Sequence, residues 1–150
     1  MRVVVQRVSE ATVNVDSQII GKIAEGLMVL VGIENEDTLE DARWLSKKIC
    51  NLRIFDDEDG VMNKSLLDIN GNLLVISQFT LHAKTKKGNR PSYIAAAKPD
   101  VSIPMYEKLV NCLENELGKK VETGKFGSEM QVSLINEGPV TIVIDTKNKE

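Results

Sequence analysis

The sequence predicts a single α+β domain in which two main helices pack on a mostly antiparallel, curved or barrel-like β-sheet. Three observations predict this class. Valine-rich segments with strand periodicity recur along the whole chain, short turns separate most of them, and only two segments have helical periodicity. A chain of 150 residues has the length of one domain. We therefore expect residues 1–150 to form one domain, with the last ~4 residues as a flexible tail.

The first third of the chain begins with strands. Residues 2–8 and 11–15 are rich in valine and are predicted to form one long or kinked strand. Residues 18–24 and 27–33 form two more strand patterns, separated by Glu25 and Gly26. Short connections between successive strands predict a meander.

The first helix follows these strands. Asp37 and Glu40 have the spacing of a capping box, which marks a helix start. One apolar stripe with a spacing of three or four residues continues from there, formed by Leu39, Ala42, Leu45, Ile49 and Leu52. Beyond this helix, residues 52–55 are predicted to be a short strand and residues 56–60 a turn. Residues 66–83 are predicted to form strands on both sides of Asn70-Gly71.

The second helix is predicted to start at Ser102-Ile103-Pro104 and to stop at Gly118, which two lysines follow. Its apolar face comprises Tyr106, Leu109, Val110, Leu113 and Leu117. The chain then ends with two predicted strands, residues 129–135 and 140–145. Residues 136–139 join them, and the glycine and proline in this connection favour a turn.

The charge of the chain limits its partners. A net charge of −3 and a pI of about 5.3 provide no general attraction for nucleic acid, so we expect no DNA partner. A basic loop is nevertheless present, because Lys84, Lys86, Lys87 and Arg90 fall within seven positions that contain no acidic residue. With Tyr93 beside it, such a loop suits a single-stranded RNA end, whose bases stack on aromatic rings. A solvated surface loop is the alternative interpretation.

Targeting segments and metal motifs are not evident. The apolar run at the N-terminus is too short for a signal peptide, and no segment approaches 18 apolar residues, so we expect a cytoplasmic protein without a membrane partner. Cys50 and Cys112 lie in helical patterns far apart and are expected to be reduced, buried thiols. One histidine and two distant cysteines give no metal-ligand spacing, so no metal or other cofactor is predicted.

Residues 75–83 (VISQFTLHA) are the first candidate for chemistry. If this strand is regular, Ser77 and Phe79 lie on one face, and Gln78 and Thr80 lie on the other. If it frays at Gln78, its backbone amides become free to bind a ligand. An ordinary strand with a polar face is the alternative. A nucleophilic triad is poorly supported, because His82 is the only histidine and no Gly-x-Ser-x-Gly elbow surrounds either hydroxyl.

Six motifs together resemble one known family along the full length of the chain. They are QRV at 6–8, NLRIF at 51–55, SQFTL at 77–81, GNRPSY at 88–93, KFGSEM at 125–130 and NEGPVT at 136–141. SQFTL and NEGPVT match the signature motifs of the D-aminoacyl-tRNA deacylases, formerly called D-tyrosyl-tRNA deacylases. The chain therefore resembles this family.

The resemblance implies an activity and an assembly. Such enzymes hydrolyse the ester that links a D-amino acid to the terminal adenosine of tRNA, and they also act on glycyl-tRNA, without a cofactor. They are homodimers with active sites at the subunit interface, and their Gly-Pro peptide bond is cis.

The resemblance also implies the site residues. Ser77, Gln78, Phe79 and Thr80 are the implied catalytic residues. The implied substrate-binding residues are Arg7, Asn136, Gly138, Pro139, Val140 and Thr141. Gly138 and Pro139 of one subunit are expected to project into the SQFTL pocket of the other, and Arg7 is expected to hold their loop.

The chemistry of the substrate limits what such a site must do. An aminoacyl ester is already activated, so stabilising the oxyanion and placing a water suffices for hydrolysis. The family leaves two interpretations, with Thr80 as a nucleophile or with assistance from the terminal 2′-hydroxyl of the tRNA. We favour the second, because no base neighbours Thr80 in the sequence. A protein that binds the tRNA end without turnover is the alternative function.

Overall fold

The computed structural model describes all 150 residues, which form two α-helices, one short 3-10 helix and eight β-strands. The helices are α1 (Leu39–Asn51) and α2 (Pro99–Leu117), and the 3-10 helix spans Phe79–His82. The strands are β1 (Arg2–Val15), β2 (Gln18–Ile23), β3 (Gly26–Gly32), β4 (Phe55–Asp56), β5 (Met62–Lys64), β6 (Asn72–Ser77), β7 (Glu122–Thr123) and β8 (Gln131–Asp145).

Strand β1 is the centre of the main sheet. Strand β8 pairs with it along one edge, while β3 and β2 pair with its first and second halves along the other edge, all antiparallel. Strand β6 is parallel to β3, and β7 is parallel to β6. The predicted fold class is confirmed, and the sheet is mixed. The predicted meander is wrong, because β2 and β3 share one edge of β1 and do not pair with each other.

Two apolar clusters explain the curvature of the sheet. The larger cluster contains 21 buried residues and lies between the helices and the first half of β1, where Val3 and Val5 point into it. The smaller one contains seven buried residues and takes Val8, Ala11 and Val13. The spacing of these buried residues is two from Val3 to Val5 but three from Val5 to Val8 and from Val8 to Ala11, close to irregularities in the pairing with β8. Strand β1 therefore bends there and serves both cores.

The N-cap of helix α1 lies one residue later in the chain than predicted. Thr38 is the N-cap, and its side chain forms a reciprocal capping box with Asp41. Asp37 is buried instead, and it accepts a hydrogen bond from the α-ammonium group of Met1. The predicted pair of Asp37 and Glu40 is thus wrong by one position, because tertiary pairing occupies Asp37.

Helix α2 begins earlier than predicted and ends as predicted. Pro99 occupies the first turn, so the helix starts three residues before Ser102. The Ser102 hydroxyl donates to the Lys98 carbonyl oxygen at 3.0 Å. At the other end Gly118 is left-handed, with φ of 74°, which confirms the predicted stop. Neither helix is long and apolar enough to span a membrane.

The predicted hairpin around Asn70-Gly71 is wrong. Residues 66–70 form turns, and β6 begins only at Asn72. The side chain of Asp68 accepts from the backbone amide and the hydroxyl of Ser65, which closes this turn. The apolar run after Gly71 pairs with β3 in parallel, so its partner lies about 45 residues earlier in the chain.

Candidate active site

The segment after β6 leaves the sheet at the signature motif. Strand β6 ends at Ser77, and the Gln78 amide makes one last sheet-like bond to the Val31 carbonyl oxygen at 2.7 Å. The chain then turns into the 3-10 helix, whose first bond runs from the Leu81 amide to the Gln78 carbonyl oxygen at 3.3 Å. Of the two geometries considered from the sequence, the frayed strand is the one observed.

A glycine on the neighbouring strand makes room for this turn. A Cβ atom at Gly32 would lie 2.9 Å from both Leu81 Cβ and His82 Cδ2, and 3.1 Å from the Gln78 carbonyl oxygen. The 3-10 helix therefore lies directly against the end of β3. This close approach fixes the position of residues 77–80, which we call the SQFT segment, relative to the end of β3.

The turn changes which polar groups are free. The backbone amides of Phe79 and Thr80 lie in the first turn of the 3-10 helix, where an N–H group has no acceptor within the helix. The Gln78 side-chain amide donates to Thr80 Oγ1 at 2.6 Å. The Thr80 hydroxyl thus accepts one hydrogen bond and keeps its own proton available as a donor.

A cavity of about 600 Å³ opens beside this segment. Ser77, Gln78 and Phe79 line one wall, and the rings of Phe79 and Tyr93 meet edge to face at 5.0 Å. The rest of the lining comes from β3, the start of α2 and residues 126–132. Ten of the 16 lining residues are hydrophobic, so the cavity is an apolar cleft with a few polar groups at its wall.

The lining of the cavity contains no charged side chain. Tyr93 is its one titratable residue, and no Asp, Glu, His, Lys, Arg or Cys takes part. His82 is buried, and its Nε2 atom has no hydrogen-bond partner. No group of three or more His, Cys, Asp and Glu side chains is placed to hold a metal ion. Chemistry in this cavity therefore depends on neutral hydrogen-bond donors and acceptors.

The Gly138-Pro139 segment does not connect two strands, as the sequence predicts, but bulges from one. Strand β8 runs through it, with Asn136 opposite Val8 and Thr141 opposite Gln6. The four residues 137–140 therefore lie opposite one residue of β1 and form a loop, which we call the β8 bulge. The Gly138-Pro139 peptide bond in this bulge is cis.

Arg7 contacts the β8 bulge from beneath. This side chain is 8% exposed, and its Nε donates to the Glu137 carbonyl oxygen at 3.2 Å. Its Nη1 donates to the Ile54 carbonyl oxygen at 2.7 Å. Gly138 has φ of 122°, and a Cβ atom there would lie 2.9 Å from Val140 Cγ2 and 3.1 Å from Arg7 Nη2. Glycine is thus the residue that this position accommodates.

Asn136 closes the bulge from its other end. The side-chain amide of Asn136 donates to the Val140 carbonyl oxygen and to Thr141 Oγ1, both at 3.2 Å. Its Oδ1 atom is buried without a hydrogen-bond partner. Glu137, Gly138 and Pro139 are exposed at the tip.

The two signature motifs are not brought together within one chain. No residue of the segment 136–141 lines the cavity, and neither does Arg7. The structure therefore forms two clusters, with Ser77, Gln78, Phe79 and Thr80 at the cavity or its rim and the other six predicted residues around the β8 bulge.

The basic loop lies next to the cavity in the chain. Lys84, Lys86, Lys87 and Arg90 are all exposed, and none forms an ion pair. Lys84 and Ser92 exchange backbone hydrogen bonds of 2.8 and 3.0 Å, which bring the two ends of the loop together. The loop thus leads from the 3-10 helix back to Tyr93.

One wall of the cavity contains residues that the sequence did not single out for a role. Phe126, Gly127, Ser128 and Met130 line the cavity, and so does Ser102 of α2. The first four belong to the motif KFGSEM, which the resemblance quoted without a function. That motif was the available signal, whereas nothing in the sequence distinguished Ser102 from a helix-start residue.

Comparison with known proteins gives consistent results over the whole chain. The family model for D-Tyr-tRNA(Tyr) deacylase matches residues 4–145. A D-aminoacyl-tRNA deacylase of Flavobacterium psychrophilum is 64% identical over 150 residues, and one of Bacteroides fragilis is 66% identical over 150 residues. Both alignments cover 100% of this chain and 100% of the relative.

Two solved structures share the fold. A c-Myc DNA unwinding element binding protein is 39% identical, with a TM-score of 0.89 over 97% of this chain and 98% of that one. A probable eukaryotic D-amino acid tRNA deacylase is 18% identical, with a TM-score of 0.83 over 95% of this chain and 97% of that one. The second likeness concerns the fold alone.

Proposed function

Because the chain belongs to the D-aminoacyl-tRNA deacylase family, and so to the hydrolases, we propose that it cleaves the ester of D-aminoacyl-tRNA and spares the L-form. One observation carries this proposal. The SQFT segment presents neutral donors at a cavity whose lining has no charged acid or base. Such a site suits an ester that is already activated, because no strong nucleophile has to be generated.

The reaction needs few parts. A water oxygen attacks the carbonyl carbon, the negative charge moves to the carbonyl oxygen, and donors at the SQFT segment stabilise it. The carbonyl double bond then re-forms as the C–O bond to the ribose breaks, and the departing ribose oxygen takes the proton that the attacking water gives up. The amides of Phe79 and Thr80 and the side chains of Ser77 and Gln78 are our candidate donors. The neighbouring 2′-hydroxyl of the RNA assists the attack.

The hydrogen bond between Gln78 and Thr80 supports this division of labour. A hydroxyl that attacks needs a base that accepts its proton. The Thr80 oxygen instead accepts a hydrogen bond from the Gln78 side-chain amide at 2.6 Å. No charged base lines the cavity. We therefore assign Thr80 a hydrogen-bonding role and not that of a nucleophile.

The β8 bulge is our proposed element of stereochemical selection. Held by Arg7 and Asn136, its Gly138-Pro139 backbone presents a rigid surface to the Cα atom of a substrate bound to a partner subunit. On one face of Cα, the site has room for a hydrogen atom but not for a side chain, and this excludes L-residues. Glycine has no Cβ atom and escapes this exclusion, so we propose glycyl-tRNA as a further substrate.

This selection requires a homodimer with sites at the subunit interface. The two clusters of site residues lie apart in one chain, and the tip of the bulge is exposed. Strand β8 is paired along one edge only, and next to the bulge it exposes Ile135 by 55%. An exposed apolar side chain on an edge strand suits a second copy of the chain.

Mixing two inactive variants tests the composite site. Ser128→Trp should fill the cavity, and Gly138→Val should displace the bulge into the partner's cavity and block it, so each variant alone should be inactive. After exchange of subunits, half of the dimers combine the two variants, and one of their two sites has both parts intact. We expect about a quarter of wild-type activity in the mixture. A mixture as inactive as its components contradicts the cross-subunit arrangement.

The direct test of function compares enantiomers. Purified protein, treated with a chelator, should release D-tyrosine from D-tyrosyl-tRNA and leave L-tyrosyl-tRNA intact. Equal hydrolysis of both forms would contradict chiral selection. Tight binding of uncharged tRNA without any release would favour the alternative of a tRNA-end binding protein.

The RNA partner fits the surroundings of the cavity. The basic loop is free of ion pairs, and the ring of Phe79 is 56% exposed beside Tyr93, so phosphates and an unpaired base both have contacts available. We propose that the 3′ end of tRNA binds here, with Lys84, Lys86, Lys87 and Arg90 near its phosphates. Aminoacyl-tRNA is used in translation, so we propose the cytoplasm as the place of action.

A further inference from the structure

A second basic surface lies at the end of α1, beside Arg2 and the last residues of β8. Two adjoining clefts of about 480 and 390 Å³ share Trp44, Lys48 and Leu52 in their lining. We call them together the Trp44 groove. Its five basic residues are Arg2, Lys47, Lys48, Arg53 and Lys149. Only Asp145 and Glu150 are acidic, and Asp145 is paired with Arg2 at 2.8 Å.

The positive charge of the groove is uncompensated. No carboxylate lies within 4.0 Å of the basic groups of Lys47, Lys48, Arg53 or Lys149. The ammonium groups of Lys48 and Lys149 lie 5.7 and 4.4 Å from the Trp44 ring centroid. Cation–π contacts hold such groups in place without neutralising them. In a chain of net charge −3, this concentration of free cations is unusual.

Helix stability alone does not require this arrangement. A cation in the last turn of α1 stabilises the helix dipole, and Lys48 meets that need. Arg43 and Lys47, one turn apart on the same helix, repel each other and lower helix stability. The charge of Lys47 therefore does not stabilise α1, whereas a polyanion would be attracted to it.

Arg2 connects the groove to the catalytic segment. Its Nη1 donates to the Leu81 carbonyl oxygen at 2.8 Å, one residue beyond Thr80. The same guanidinium is paired with Asp145 in the groove wall. A ligand lying along the groove would thus contact a side chain that is hydrogen-bonded to the 3-10 helix.

We propose that the Trp44 groove binds the phosphodiester backbone of the double-stranded part of the tRNA substrate, an inference that rests on the proposed function. The reacting 3′ end is single-stranded and is accounted for by the cavity and the basic loop. The groove offers point charges along the end of α1 and its flanks, which suits recognition of backbone phosphates without base readout. Its role is to bind and orient the RNA.

A charge reversal in the groove tests this proposal. Lys47→Glu with Lys48→Glu changes two exposed side chains, and Lys108→Glu with Lys120→Glu makes the same change on exposed positions elsewhere. We expect the groove variant to bind uncharged tRNA about tenfold more weakly or worse, with the salt dependence reduced by about two phosphate contacts. The control variant should bind like the wild type, and thermal unfolding should show that both variants are folded at the assay temperature.

Two further measurements locate the effect. Trp44 is the only tryptophan of the chain, so tRNA binding should change the fluorescence of the wild type directly. In deacylation, the groove variant should show a raised KM for D-aminoacyl-tRNA, while its hydrolysis of a D-aminoacyl-adenosine, which has no duplex, stays unchanged.

The outcomes separate this inference from the proposed function. Three results would each contradict binding of tRNA at the groove. They are wild-type tRNA affinity in the groove variant, equal weakening in the control variant, and no change in Trp44 fluorescence at saturating tRNA. A wild-type protein that hydrolyses neither ester but binds tRNA through the groove would overturn the proposed activity and leave the groove intact.

Discussion

The hydroxyl of Thr80 has one hydrogen-bond partner within the chain. Gln78 donates to it at 2.6 Å, and the cavity beside it has no charged side chain to remove its proton. A threonine in this setting acts as a donor to the substrate or as a support for the turn, and in both roles other groups share its task. The backbone amides of the same 3-10 helix are among these groups, and Thr80→Ala leaves them in place.

We predict that Thr80→Ala remains active, with kcat/KM no more than about tenfold below that of the wild type. Removal of a nucleophile lowers kcat by several orders of magnitude, whereas loss of one ordinary hydrogen bond should lower kcat/KM by about tenfold or less. Single-turnover deacylation of D-tyrosyl-tRNA measures the difference, with Thr85→Ala, an exposed threonine on the basic loop, as the matched control. A drop of four or more orders of magnitude in Thr80→Ala alone would restore the nucleophile interpretation.

The pairing of β1 with β8 is the element that positions the second cluster. The ladder is continuous on both sides of the β8 bulge, and the guanidinium of Arg7 fills the space beneath it. Because this guanidinium bridges two carbonyl oxygens 83 residues apart in the chain, at Ile54 and Glu137, it couples the bulge to the body of the domain.

Arg7→Lys should separate fold from selection. Lysine keeps the charge but lacks the planar fork, so one of the two carbonyl oxygens loses its donor, at a cost of about 1–3 kcal/mol in unfolding free energy. We expect a folded protein that hydrolyses D-tyrosyl-tRNA more slowly and spares L-tyrosyl-tRNA less strictly. Paired D- and L-deacylation assays with thermal unfolding measure both effects.

Arg43→Lys is the control for this prediction, because Arg43 is exposed on α1, is far from the bulge in sequence, and lines neither the cavity nor the Trp44 groove. If Arg7→Lys lowers stability yet leaves rate and chiral preference intact, the position of the bulge does not matter for selection.

Local patterns predicted elements well where a single segment determines its own structure. The apolar stripe and the left-handed Gly118 place both helices within a few residues of their observed bounds. The strands around Asn70-Gly71 failed because the partner of β6 is the distant β3, which local turn chemistry does not reveal. Similarly, β8 is one strand because β1 pairs with it on both sides of the bulge.

The candidate site was predictable only through its motifs. Residue types around Gln78 indicated neutral donors, and the frayed geometry was one of two options. The decisive contact comes from Gly32, more than 40 residues earlier, whose lack of a side chain admits the 3-10 helix. The cavity wall from Phe126 to Met130 likewise depends on tertiary packing, so its sequence gave no independent signal.

At the scale of the molecule, both ends of the chain meet at the start of α1. The Met1 ammonium is buried against Asp37 and Thr146, and Arg2 pairs with Asp145. Lys147 donates to Asp41 at 2.8 Å, next to the helix cap. These ionic contacts join β1, β8 and α1, and they depend on ionised carboxylates.

The carboxylates of this cluster predict acid sensitivity. Burial alone would raise the pKa of Asp145, but hydrogen bonds from the Lys147 amide and from Arg2 outweigh it and lower the pKa. For Asp41, burial is likewise outweighed by hydrogen bonds from Lys147 and Thr38, and its pKa is lowered. A lowered pKa in the folded state stabilises the fold above the unfolded value of about 3.9, and this stabilisation is lost as pH falls below it.

We therefore expect the urea concentration at the unfolding midpoint of the wild type to decrease when the pH is lowered below about 4. Asp145→Asn should have a lower midpoint at neutral pH, and its midpoint should depend less on acid pH. Glu129→Gln, an exposed carboxylate outside the cluster, should behave like the wild type in urea titrations at each pH. Identical acid dependence in Asp145→Asn and the wild type would contradict a contribution from this ion pair.

The β8 bulge also restricts how this protein can evolve. Its two ends are fixed by cross-strand partners, Thr141 against Gln6 and Asn136 against Val8, so an added or deleted residue cannot be absorbed by sliding the strand. A slip by one position would move the side chains of one half of β8 to the opposite face of the sheet. An added or deleted residue must therefore change the loop itself, and with it the distance by which Gly138-Pro139 extends from the sheet.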